Sequence, residues 1–233
     1  MNRAFGVAVS RNGQFAYVTG FATHSLAVVD VGTDPANPAL VGGVGDSTYM
    51  SAPAGVAVSS GGQYALVAAR GSNGLAIVDV DTDPANPTLV GSIRNDTVMG
   101  GGAFVAMSPS GRYAYVTGRV SHSLAVVDVG SNPANPTLVG SVASTALDDA
   151  YGVAVSPDGR YALVAARNSN GISIVDVGTD PANPTLVASM SDSSTMDFAS
   201  RVAVAPNGTY VFVTGADADC VAVVEWQNCS TRV

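Results

Sequence analysis

The sequence predicts an all-β fold: a β-propeller with five blades of four antiparallel strands, the last blade incomplete or closed by the C-terminal tail. Three observations predict it. The stretch from Gly6 to Val41, GVAVSRNGQFAYVTGFATHSLAVVDVGTDPANPALV, returns from Gly55, from Phe104 and from Gly152, and in shortened form from Arg201. The starts are 49, 49, 48 and 49 residues apart, a period that suits propeller blades. One segment of each copy is apolar at nearly every position (LAVV, LAIV, LAVV, ISIV, VAVV), so both faces of its sheet need cover. Finally, eight of the twelve prolines sit in four PANP turns, and none falls inside a predicted strand.

The first copy sets the pattern. Gly6 to Ser10 is strand A, and Asn12-Gly13 is a hairpin signal because both residues tolerate positive φ. Phe15 to Thr19 is strand B, and Gly20 to His24 is a polar loop. Ser25 to Val31 is strand C. Gly32 to Pro38 is a turn, since proline lacks a donor and Asp and Asn favour turns. Ala39 to Val44 is a weaker strand D, followed by a variable loop from Gly45 to Ala54. Each copy is thus an antiparallel meander, covered most economically by its neighbour. Small residues such as Ala8, Gly20 and Ala27 let such sheets approach closely. A parallel β-helix is the rival, but its coils are usually shorter and lack tight hairpins. The whole chain, residues 1–233, reads as one propeller domain.

The strings LAVVDV, LAIVDV and SIVDV followed by PANPTLVGS resemble LVIVD-repeat propellers, and GVAVSPDGRYALV and YVTG resemble the related YVTN-type repeats. The likeness covers all but the first few residues and the tail. It implies an extracellular or cell-surface module that binds or scaffolds, without catalysis of its own.

Composition excludes some partners. Eighteen acids against ten bases leave a net charge of −8, which argues against a nucleic-acid surface and against anionic lipid. All ten bases are arginine, and seventeen of the acids are aspartate, so long helix-favouring charges are scarce. No apolar run approaches a membrane span and no leader is visible, so membrane insertion is not expected.

Five copies imply five blades, yet the copies alternate. Copies one and three read YVTG and HSLAVVDV; copies two and four read ALVAAR and SNG. Copy five stops soon after its strand C, so an open arc is an alternative, as is a piece of a larger ring. An exposed blade face would invite homo-oligomers or a larger assembly. Cys220 and Cys229 either staple this end or stay as two thiols.

Functional candidates follow from the two rims. The A–B and C–D turns barely vary, and an Asp ends each full strand C as a cap for the next turn (Asp30, Asp79, Asp128, Asp176). The D–A and B–C loops vary, and loops on a rigid scaffold carry specificity. The candidate binding rim comprises His24, Tyr49, Met50, Arg70, Arg119, His122, Asp149, Tyr151, Arg167, Asp197, Phe198, Asp217 and Asp219. Its aspartates point to a negatively charged mouth suited to a cationic or sugar-like partner. His24 and His122 lie a whole blade apart, too far to share a metal ion, so no metal and no cofactor are expected. The inner strands GVAVS, GVAVS, FVAMS, GVAVS and RVAVA carry no acid, which argues against catalysis. The expectation is therefore a non-enzymatic propeller binding a protein or a carbohydrate outside the cytoplasm. A structural repeat subunit and a hydrolase are the alternatives.

Overall fold

The computed structural model describes residues 2–226. Every copy folds as the predicted meander. Blade one is β1 (Ala4–Val9), β2 (Phe15–Gly20), β3 (Ser25–Asp30) and β4 (Ala39–Gly45). Blade two is β5 (Pro53–Val58), β6 (Tyr64–Ala69), β7 (Gly74–Asp79) and β8 (Thr88–Arg94). Blade three is β9 (Gly102–Met107), β10 (Tyr113–Gly118), β11 (Ser123–Asp128) and β12 (Thr137–Ala143). Blade four is β13 (Ala150–Val155), β14 (Tyr161–Ala166), β15 (Gly171–Asp176) and β16 (Thr185–Ser191). Blade five has three strands among the described residues, β17 (Ala199–Val204), β18 (Tyr210–Gly215) and β19 (Cys220–Glu225). In each sheet the strands pair in chain order, all antiparallel.

Two boundaries differ from the sequence expectation. Inner strands begin earlier, and Pro53 is the first residue of β5, where a missing donor is tolerated. Strand C ends one residue sooner because the Asp30 carboxylate takes over the chain. It accepts from the amides of Gly32 (3.0 Å) and Thr33 (2.9 Å) and from the Thr33 hydroxyl (2.6 Å). Asp79, Asp128 and Asp176 do the same with Thr82, Ser131 and Thr179. The A–B turns place glycine at positive φ in every copy, as at Gly13 (φ 74°).

Blades pack face to face. The forward face of blade one (Tyr17, Leu26, Val28) meets Ala65, Val67, Ala76 and Val78 of blade two. The same positions meet at the next three junctions. Each fully buried aliphatic side chain contributes about 1.5–3 kcal/mol against exposure. The inner strands β1, β5, β9, β13 and β17 pack one on the next, and no comparable packing joins β17 to β1. Strands β7 and β11 are buried on both faces, whereas β19 alternates between half-buried and exposed residues. The end blades thus share the apolar sequence but, among the described residues, lack a neighbour on one side.

Candidate site at the axial mouth

The residue that follows strand B occupies the same place in every blade. It is Phe21, Arg70, Arg119, Arg167 and Ala216 in turn. In four blades its amide donates to the carbonyl of the residue that leads into the inner strand, as Arg70 does to Ala52 (3.1 Å) and Arg167 to Asp149 (3.2 Å). The fold therefore points three consecutive arginines at the mouth of the axial channel. Arg201, on β17, joins them from the position held by Gly6, Gly55, Phe104 and Gly152.

Aromatic rings form the floor. Phe5, Phe104 and Tyr151 make a row, with ring centroids 6.1 Å and 5.0 Å apart. Gly55 makes room for it: a Cβ there would lie 2.7 Å from the Phe104 Cα. The Arg201 guanidinium lies 3.8 Å over Phe104, and that of Arg167 lies 3.2 Å over Tyr151 and 4.6 Å over Phe198. Arg119 is held by both carboxylate oxygens of Asp149, with Nη2 to Oδ2 at 3.0 Å. Burial pushes the Arg70 and Arg167 guanidinia below the ordinary arginine range, and the nearby Arg119 charge lowers both further. Arginine stays charged at neutral pH nonetheless. The Arg70 guanidinium makes no hydrogen bond or ion pair among the described residues, and it opens onto a cleft of about 490 Å³ with Phe21, Asn73 and Asp96. On the opposite rim, a cleft of about 480 Å³ holds Arg160, but Asp176 already pairs with it at 3.3 Å. Arginine is therefore gathered at the axial mouth, with Asp149 paired to Arg119 among them, in a chain of net charge −8.

The sequence-predicted rim residues divide sharply. Arg70, Arg119, Asp149, Tyr151, Arg167 and Phe198 come together. His24, His122 and their Asn counterparts do another job. His24 Nδ1 accepts from the Ala52 amide (2.9 Å), Asn73 Oδ1 from Gly101 (2.8 Å), His122 Nδ1 from Asp149 (3.2 Å) and Asn170 Oδ1 from Phe198 (3.1 Å). His122 Nδ1 also lies 3.0 Å from Asp148 Oδ1. Met50 is fully buried under its loop and packs in the core, so it presents no surface. Tyr49 remains exposed, and Asp197, Asp217 and Asp219 make no side-chain hydrogen bond or ion pair among the described residues. At the mouth Asp46 and Asp192 turn onto their own loop amides and Asp96 binds Asn73 beside Arg70, so arginines join the expected carboxylates there. Sequence reasoning missed Arg201, Phe5, Phe21 and Phe104. The signal was present: two of them, Phe104 and Arg201, replace the glycine of the repeat. Cys229 lies outside the described residues; the Cys220 thiol donates to the Thr195 carbonyl at 3.1 Å. Among the described residues no cluster of His, Cys, Asp and Glu could hold a metal ion, and no helix is long and apolar enough to cross a membrane.

Stacked antiparallel blades around an arginine-lined axial mouth define the class as a β-propeller. Within that class the sequence matches the family model "Lactonase, 7-bladed beta-propeller" over residues 105–233, and the LVIVD repeat over residues 3–46 and 54–95. The chain belongs to the lactonase family of seven-bladed β-propellers. The expected resemblance to LVIVD-type propellers holds with it. Among solved structures, one is a protein from Lactobacillus plantarum, with a TM-score of 0.84 at 19% identity, covering 98% of this chain and 69% of its own. Another is a periplasmic gluconolactonase from Pseudomonas aeruginosa, with a TM-score of 0.78 at 19% identity, covering 95% and 66%. A third is a candidate 6-phosphogluconolactonase from Bacteroides fragilis, with a TM-score of 0.76 at 17% identity, covering 95% and 65%. The chain spans about two thirds of the length of these structures. Among curated proteins none matches it. The lactonase match overturns the expectation of a non-catalytic binding module and of a chain that is not an enzyme. The inner strands carry no acid, and the charged groups at the mouth come from the loops and from Arg201.

Proposed function

We propose that this propeller belongs to a hydrolase of sugar lactones, with its substrate site at the arginine-lined axial mouth. The observation that carries the reading is the gathering of Arg70, Arg119, Arg167 and Arg201 around Tyr151, with Asp149 as the carboxylate among them. The family match and the neighbours named as gluconolactonases support it.

The chemistry asks for what these groups offer. Water adds to the lactone carbonyl, the negative charge moves to the carbonyl oxygen, and the ring C–O bond then breaks. The ring oxygen leaves as a hydroxyl and the product is a hydroxy acid. Guanidinium donors stabilise the developing oxyanion in a site where burial strengthens them. In this reading the Asp149 carboxylate takes the proton of the attacking water and returns it to the departing ring oxygen, while Arg119 holds the carboxylate in position. The surplus positive charge favours a substrate with a phosphate or carboxylate of its own. The reading extends to an extracytoplasmic location, which the periplasmic relative supports.

The test is hydrolysis of δ-gluconolactone and of its 6-phosphate, followed by pH indicator against the spontaneous rate. Arg167→Gln should lower kcat/KM about 10²-fold with the circular dichroism spectrum unchanged. Spontaneous rates with both lactones would overturn the proposal.

A further inference from the structure

The alternation between copies puts a tyrosine where the axial mouth makes no use of it. At the third residue of strand B, copies one and three carry Tyr17 and Tyr115, and copies two and four carry Leu66 and Leu163. The register is the same in all four: Val28, Ile77, Val126 and Ile174 lie opposite in turn. The Tyr17 ring packs in the core between blades one and two, and the Tyr115 ring in that between blades three and four. Tyr17 is 2% exposed and Tyr115 1%. Neither hydroxyl makes a hydrogen bond among the described residues. Every fully enclosed side-chain oxygen or nitrogen among those residues has a partner, so both hydroxyls must reach open space.

That space is a cleft between two blades, on the rim of the A–B and C–D turns. Tyr115 lines the cleft of about 480 Å³ and Tyr17 one of about 390 Å³, both of a size for a small molecule. Between blades two and three, where Leu66 replaces the tyrosine, the corresponding cleft shrinks to about 190 Å³. Burial pushes the Tyr115 phenol up to about 12, and burial, then the Asp81 charge, raises Tyr17. Both phenols therefore keep their protons at neutral pH and can donate as well as accept. Each cleft is also lined by one arginine and one aspartate, drawn from different places in the repeat. They are Arg160 and Asp158 with Tyr115, and Arg11 and Asp81 with Tyr17. Arg160 Nε is engaged by Asp176, and Arg11 Nη1 donates to the Ser60 carbonyl at 2.8 Å. The carboxylates oppose an anion, and the guanidinium at each wall opposes a cation.

We infer that the clefts of Tyr17 and Tyr115 are a pair of binding sites for a neutral polyhydroxylated ligand, a sugar, anchored in each by the tyrosine hydroxyl. A sugar hydroxyl both donates and accepts, which matches a wall made of phenol, guanidinium and carboxylate. The ligand supplies the partner that each phenol lacks and displaces no bond that the folded chain already makes. Both clefts lie on the rim opposite the arginine-lined mouth, so the inference does not depend on the hydrolysis proposed there.

The test titrates glucose, galactose and maltose into the full chain carrying isotope-labelled tyrosine and follows the ring signals by NMR. Tyr17→Phe and Tyr115→Phe assign the two signals, which should shift and saturate, while that of Tyr64, at the Leu66 cleft, should stay unmoved. Tyr113 lines the same cleft as Tyr115. In Tyr115→Phe its signal should need about tenfold more sugar to saturate, and Tm should not fall, because the hydroxyl has no partner to lose. A fall in Tm of several degrees in both variants would place the hydroxyls in bonds within the protein and overturn the inference. So would shifts that rise linearly with every sugar, saturation by gluconate in place of the neutral sugars, or a Tyr113 titration that Tyr115→Phe leaves unchanged.

Discussion

His24 and His122 show how a residue type can mislead when its backbone is unknown. Both sit at positive φ and both spend a ring nitrogen on an amide of the next loop. Asn73 and Asn170 do the same work, and Asn tolerates the left-handed region well. His24→Asn should therefore be near neutral in chemical denaturation, whereas His24→Ala should cost about 1–2 kcal/mol by stranding the Ala52 amide. The aspartates that end strand C give a second prediction. The Thr33 hydroxyl, and then the Thr33 amide, hold Asp30 below the usual carboxylate range. At Asp176 burial acts the other way, but hydrogen bonds from Thr179 and then Arg160 prevail and lower it. A lowered folded value means that the stabilisation is complete above the ordinary aspartate range and is lost as pH falls through the depressed values. Stability measured from neutral pH downward should hold until about pH 4 and then fall. Asp176→Asn should flatten that fall, and an unchanged acid limb would contradict the turn-capping role.

At the scale of single elements, hairpins and turns were legible because their chemistry is local. Asn-Gly and PANP dictate backbone conformation without help from the rest of the chain. Close approaches between elements were not. Gly42, Gly91 and Gly140 lie under the turn of the following blade, and a Cβ on Gly91 would sit 2.0 Å from the Pro133 carbonyl oxygen. Blade four has Ala188 at this position in the same register, opposite Ile174, and blade five has no PANP turn to cover it. Gly91→Ala should lower Tm clearly, by several degrees, while Ala188→Gly should cost at most about 1 kcal/mol. Equal effects from the two substitutions would mean that the turn does not press on the outer strand.

For the whole molecule, charge distribution is the deciding property. Net charge is −8, yet arginines crowd the axis while aspartates are spent on turns. Association of an anionic lactone with the mouth should weaken steeply as salt rises, because surface charges are screened within about 10 Å at 0.1 M. KM for the 6-phosphate should rise with ionic strength more than KM for the uncharged lactone, and parallel curves would place the arginines outside the recognition step. Five apolar copies made the blades legible from the sequence, along with the candidate loops and most of the arginines.

Period, turn chemistry and two-faced apolar strands are local or periodic properties, so the sequence alone determined the blade, its four-strand meander and the stacking of copies. The tertiary structure decided what the sequence could not hold in view. It converged Arg70, Arg119, Arg167 and Arg201 on one aromatic floor, set Asp149 among them, and left the faces of blades one and five uncovered among the described residues. Those outcomes depend on the curvature of the stack, and curvature is set by how sheets wedge together rather than by any residue's own preference.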